Sequence, residues 1–128
     1  MKPLLLPTIL IFIIGCENPE EIPDFLNSRV VGIVTDFDTG EPLDSVEVTI
    51  YNVKVRGFNN VSYKRVGNAI SDEMGQYSLV AILESDGFHR LGAIKERYES
   101  INYIISSDYP IYYKEFQQIN LKMKKSQY

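Results

Sequence analysis

From Ser28 onward the apolar residues recur with a period of two, and this constrains the fold more than any other feature of the chain. Val30, Gly32 and Val34 alternate with Val31, Ile33 and Thr35, a β-branched run suited to a strand buried on at least one face. Asp36-Phe37-Asp38-Thr39-Gly40-Glu41-Pro42 is dense in turn formers, with Gly40 able to take positive φ and Pro42 fixing the exit. Val46, Val48 and Ile50 then alternate with Glu47, Thr49 and Tyr51, as in a half-buried strand with its polar face outward. The apolar parity shifts to Val53 and Val55, which predicts a bulge or twist near Tyr51-Asn52. Arg56-Gly57-Phe58-Asn59-Asn60 reads as a hairpin tip, and the return strand is expected from Val61 to Ser71.

Asp72-Glu73-Met74-Gly75 has Asp first and Gly last, as a type I turn prefers, and Tyr77, Leu79 and Ala81 alternate after it, predicting a second hairpin. Ser85-Asp86-Gly87 closes that strand. Phe88, Leu91, Ile94 and Tyr98 fall at spacings of three, three and four, so an irregular or short helical connection is expected near 88–98. Ser100 to Ser107 reads as strand, Asp108-Tyr109-Pro110 as a turn and Ile111 to Gln117 as the return. Ile119, Leu121 and Met123 alternate with Asn120, Lys122 and Lys124 in a final strand. About seven short strands separated by turn signals predict an all-β, seven-stranded Greek-key sandwich.

The start of the chain has a different character. Ten of the first 15 residues are Met, Leu, Ile or Phe, and the apolar stretch Leu4–Ile14 is eleven residues long. Eleven residues rise about 16 Å as a helix, roughly half a bilayer's hydrocarbon core, so the segment reads as a secretory signal peptide at 1–15. Ile13-Ile14-Gly15-Cys16 resembles the lipobox of bacterial lipoproteins. That resemblance implies cleavage between Gly15 and Cys16, a diacylglycerol on the Cys16 thiol and acylation of the new amine. The alternative is a free thiol that happens to follow an apolar run. A single cysteine in an exported chain asks for an explanation, and lipidation supplies one.

Residues 16–27 are expected to form an acidic tether before a domain at 28–128. Cys16 to Asp24 carries four acids, two prolines and no basic residue, a composition unable to bury itself. Acids after the lipidated cysteine also resemble surface-export signals of some Gram-negative lipoproteins. Charge is split along the chain, with net −8 across 16–47 and net +3 across 48–128. The overall charge of −4 argues against a nucleic-acid binder, since phosphate recognition needs clustered Lys and Arg.

A family resemblance rests on Val30-x-Gly32-x-Val34-x-Asp36, Thr39-Gly40-Glu41-Pro42-Leu43, Val46-x-Val48-x-Ile50, Ser71-Asp72-x-x-Gly75-x-Tyr77-x-Leu79 and a closing Asn120-Leu121. In that order and spacing they resemble the carboxypeptidase regulatory-like domain, a transthyretin-like, prealbumin-type β-sandwich. The likeness covers residues 28–124 and is strongest across 30–50 and 70–80. It implies a non-catalytic folding, spacing or binding module. Physics accounts for the positions: Gly32 lets a backbone or large side chain approach, Gly40 and Pro42 shape the first turn, and Gly75 closes the second. Tyr77 is expected to bury its ring with its hydroxyl at the edge.

Chemistry-bearing constellations are sparse. With Cys16 acylated, His89 is the one remaining His or Cys, too few for a zinc site, and beside Arg90 it is expected on a surface loop. No acid is spaced to orient it as a base, and no Gly-x-Ser-x-Gly elbow or phosphate loop occurs. Asp36, Asp38, Gly40, Asp44 and Glu47 superficially fit a calcium loop, but Glu41 stands where glycine is needed and Pro42 follows. Tyr109, Tyr112, Tyr113 and Phe116 form a candidate sugar-stacking platform, against the plainer reading of core or edge packing. The expectation is an exported, lipid-anchored, non-enzymatic sandwich at the outer membrane or cell surface, without cofactor or metal. It would bind an envelope protein or give structural support; the alternative is a glycan-binding surface lipoprotein.

Overall fold

Alternation over twelve residues makes β1 (Phe25–Asp36) the longest strand. Its inward positions Ser28, Val30, Gly32, Val34 and Asp36 are all buried. The structure, a computed structural model, describes residues 24–102 and 108–127. The expected signal peptide, the Gly15-Cys16 cleavage site and most of the tether lie outside the described residues, as do positions 103–107 of the expected strand at 100–107. The other strands are β2 (Glu47–Val55), β3 (Val61–Ile70), β4 (Gln76–Glu84), β5 (Phe88–Ile94), β6 (Phe116–Gln118) and β7 (Leu121–Met123), and no helix occurs among the described residues.

The seven strands form two sheets. In one, β1 is central, antiparallel to β4 on one side and parallel to the short strands β6 and β7 on the other. In the other, β2 is central and antiparallel to β3 and β5. Val30 and Val34 from the first sheet meet Val48 and Ile50 from the second, with Leu121 and Met123 closing the core. This is an all-β sandwich, as the period of two predicts.

Three local expectations are corrected. Residues 88–94 form β5, so there is no helical connection near 88–98. Leu91 and Ala93 face the core while Phe88 and Ile94 are exposed on the other side, and these outward apolar residues create the misleading spacing. The turn at Asp72–Gly75 does not join a hairpin, because β3 pairs with β2 and β4 with β1, so the chain crosses between sheets there. The bulge expected near Tyr51-Asn52 does fall there, between Ile50 and Tyr51, but the extra residue is on β3: Ile50 pairs with Gly67 and Tyr51 with Arg65, leaving Val66 over. Asn52 keeps the inward parity of Val48 and Ile50 and is buried.

One end of the sandwich is tied by polar contacts. The Asp36 carboxylate accepts from the Asp38 and Thr39 amides at 2.8 and 3.0 Å and from the Tyr98 hydroxyl at 2.7 Å. The Tyr98 bond, and then the Thr39 amide, hold its pKa below the usual carboxylate value. Buried Ser71 accepts from the Val46 amide at 2.9 Å and donates to the Leu43 carbonyl at 2.8 Å, joining the first turn to β2. Asp72 accepts from the Met74 and Gln76 amides, and Gly75, at φ +76°, closes the type I turn with its amide on the Asp72 carbonyl. A Cβ on Gly75 would sit 2.6 Å from the Val34 carbonyl oxygen. Gly40 also has positive φ, and Pro42 bridges back to Thr35.

Gly32 clears space in the middle of β1. A methyl there would overlap the Ile119 carbonyl and approach the Tyr77 ring at 2.9 Å. The Tyr77 hydroxyl donates to that same carbonyl, and burial pushes its pKa well above the ordinary phenol value.

Candidate functional site

At the opposite end, β5 and the loop 109–113 enclose a cleft of about 410 Å³, lined by Phe88, His89, Tyr109, Ile111, Tyr112 and Tyr113 among others. The loop has little regular structure, yet both of its ends are fixed. Gln117 is buried on β6 and holds both backbone groups of Tyr112: its side-chain oxygen accepts from the Tyr112 amide at 2.9 Å, and its nitrogen donates to the Tyr112 carbonyl at 2.8 Å. The same nitrogen donates to buried Ser28 at 2.9 Å, which locks the arrangement to β1. At the other end the Tyr109 hydroxyl accepts from the Lys122 amide at 3.2 Å and donates to its carbonyl at 3.3 Å. Ile111 plugs the loop into the core.

The rings so placed differ in what they expose. Tyr112 is 59 % exposed and Phe88 58 %, whereas Tyr109 and Tyr113 are half-buried. Tyr113 stacks on His89, with ring centroids 6.3 Å apart and planes 24° from parallel. Lys114 places its ammonium 5.7 Å from the Tyr112 ring centre. Phe116 is exposed on β6 and does not line the cleft. Three of the four aromatics singled out in the sequence therefore share one cavity, joined by Phe88 and His89 from β5.

His89 is a strand residue, not the surface-loop residue expected. Burial pushes its pKa below the ordinary histidine value, opposed by hydrogen bonding to the Glu84 backbone. Its Nε2 is buried with no hydrogen-bond partner among the described residues. The same holds for Oδ1 of Asn52, 2 % exposed, which is the direct cross-strand neighbour of His89. Buried polar atoms are nearly always paired, so these two neighbouring exceptions stand out; of the two residues, His89 lines the cleft and Asn52 does not. Above it, Lys54 meets Glu84 at 2.6 Å, which lowers the Glu84 pKa and raises that of Lys54.

Gln117, which orders the loop, had no signal in the sequence, and His89 was singled out there but expected on a surface loop. Its place on a strand could have been found by following its parity with Leu91 and Ala93, but Gln117 acts through a backbone contact for which no pattern exists. Asp36, Asp72 and the glycines of the expected motif lie away from the cleft and hold turns or close approaches. Among the described residues no three His, Cys, Asp or Glu side chains are grouped to hold a metal ion. The Asp36 carboxylate of the apparent calcium loop is occupied by its own turn and Tyr98.

Fold and cleft together define a β-sandwich module with a rigidly mounted aromatic hollow at one edge. No protein-family model matches the chain, and neither does any curated protein. Among solved structures, a 9R-lipoxygenase from Cyanothece PCC8801 is similar over 77 % of this chain and 16 % of its own, with 14 % identity and a TM-score of 0.48. The shaft pilin SpaA of Lactobacillus rhamnosus GG is similar over 80 % and 47 %, with 13 % identity and a TM-score of 0.47. A chlorocatechol 1,2-dioxygenase from Pseudomonas putida is similar over 84 % and 63 %, with 11 % identity and a TM-score of 0.48. The chain spans less than two thirds of each of these proteins.

Proposed function

We propose that this protein is a lipid-anchored envelope protein whose non-catalytic sandwich docks onto a protein partner. In this reading the chain is cleaved after Gly15 and held by acyl groups on Cys16, and residues 17–24 are the spacer between membrane and β1. The resemblance to carboxypeptidase regulatory-like domains supports a binding or spacing role. The observation that carries the docking reading is the β2–β3 hairpin. Its tip presents Phe58 at 92 % exposure, flanked by exposed Val55, Val61 and Tyr63. The tip is held by the Arg56 amide on the Asn60 carbonyl at 2.7 Å, with Gly57 and Asn59 at positive φ. An aromatic fixed in solvent beside three more apolar residues fits the anchor of an interface.

The test is co-purification of the cross-linked full chain from intact envelopes, comparing wild type with Phe58→Asp. A stoichiometric partner lost in the variant, with unchanged melting temperature and unchanged uptake of a palmitate analogue, is the expected result. Equal recovery of every partner by both proteins would overturn the hairpin as the docking element. A second reading, retention of glycan at the cell surface, is favoured by one observation, the grouping of Tyr109, Tyr112 and Tyr113 around a single cleft.

A further inference from the structure

We infer that the partner of the hairpin is an acidic protein surface, met by the outer face of the β3–β2–β5 sheet next to the tip, with Arg56 and Arg65 on carboxylates and Phe58 in an apolar pocket. This rests on the docking reading and extends it from the tip to the sheet behind it.

Strand register decides which side chains share that face. Val55 pairs with Val61, Val53 with Tyr63 and Phe88, and Tyr51 with Arg65 and Arg90, so these three rows point the same way. They point outward, because the alternate residues Val48 and Ile50 are the ones in the core cluster and Val53 is not. Val53 is buried as a floor, while Val55, Val61, Tyr63 and Phe88 are 42–58 % exposed around it. Apolar side chains in front and guanidinium groups at the margin have the layout of an interface core with a charged rim.

Charge is sorted between the two sides of the hairpin. Residues 48–71 contain four bases, Lys54, Arg56, Lys64 and Arg65, and no acid. On the inner side Lys54 meets Glu84 at 2.6 Å and Lys64 reaches the same carboxylate at 3.9 Å, so that charge is balanced within the fold. Arg65 on the outer side and Arg56 at the tip are exposed and make no ion pair among the described residues. No acid enters the outer rows before Glu47, at the far end of β2. Arg56 and Arg65 lie about 16 Å apart along the strands, with the apolar patch between them. Covering that patch with a neutral or basic surface would strip water from both guanidinium groups and return nothing. Carboxylates at its two margins match the planar forks and repel no neighbour.

A bilayer also takes aromatic and basic groups together, but there the apolar residues sink while the bases stay behind at the headgroups. Here Arg56 stands at the tip itself, two residues from Phe58, and the bases behind it are turned to Glu84. That order suits a protein groove.

The experiment uses the full chain in intact envelopes with Arg65→Lys as the probe, which keeps the charge and supplies an amine that a carbodiimide joins to a touching carboxylate. A single junction is expected between position 65 and an Asp or Glu of one other protein, absent when Phe58→Asp is added. No junction there, or one only to carboxylates of this chain, overturns the acidic partner. Arg56→Glu combined with Arg65→Glu should lower recovery of that protein about tenfold at unchanged melting temperature, as should raising salt from about 0.05 to about 0.5 M. If the double variant recovers the protein fully while Phe58→Asp loses it, the acidic partner falls and the docking reading stands. Full recovery by both removes the docking reading as well. The chain has no Trp, so Phe58→Trp reports on the tip alone. In vesicles of phosphatidylethanolamine and phosphatidylglycerol with brominated chains its emission is expected to stay unquenched; quenching overturns the proposal and assigns the face to lipid.

Discussion

The two ends of the sandwich use the same kinds of residue to opposite effect. At the end where β1 finishes, Asp36, Ser71 and Asp72 turn their side chains back onto nearby amides, and Gly75 brings the second turn against Val34. Polar groups there are spent on the backbone. At the end where β1 begins, Phe58, Tyr112 and Phe88 face solvent, and the buried His89 Nε2 and Asn52 Oδ1 have no hydrogen-bond partner among the described residues. Structure that is internally satisfied has little left to offer a partner; surface that retains exposed rings can bind at small cost to the fold.

This contrast can be broken most directly at Gly32, on the face that supports the tied end. Gly32→Ala forces a methyl into the Ile119 carbonyl and the Tyr77 ring, and is expected to cost about 3 kcal/mol in urea unfolding. A variant as stable as wild type would show that the last strands can retreat from β1. Ser71→Ala comes next. It leaves the Val46 amide buried without a partner and should cost about 2 kcal/mol, whereas cleft-ring variants at Tyr112 and Phe88 stay within about 0.5 kcal/mol. Comparable losses at both ends would erase the distinction.

The smallest effect separates the ends by pH. The His89 pKa is lowered in the folded state, so the unfolded chain binds the proton more readily and stability falls as pH drops below about 6.5. The lowered pKa of Asp36 removes stability only below its ordinary value of 3.8. Melting at pH 7.5 and 5.5 therefore isolates the His89 end, with an expected drop on the order of 1–2 °C that His89→Gln abolishes. A drop of equal size in that variant would assign the titration to another group.

Much of the architecture was legible because alternation and turn chemistry are local. β1, β2 and the β2–β3 hairpin follow from residues 28–71 alone. The crossing at Asp72–Gly75 was not legible, since a type I turn has the same residues whether its strands pair or part to different sheets. β5 was obscured by its own exposure, with Phe88 and Ile94 outside and His89 inside reversing the usual sorting of apolar and polar. The cleft was half legible: three tyrosines close in sequence marked the loop, but the facing wall comes from Ser85 and residues 87–90, which only the tertiary fold brings near.

The parallel alignment of β6 and β7 with β1 has a mechanical consequence. β1 starts at the end bearing the cleft and β7 finishes beside Asp36 at the other, with Asp36 opposite Met123. A force drawing the start of β1 away from the end of β7 would pull along the strand axes and load their hydrogen bonds together, in shear. Separation would require the whole seam to give way at once. For a domain tethered through its first strand and gripped near its last, that seam would set the tension the protein bears before it unfolds.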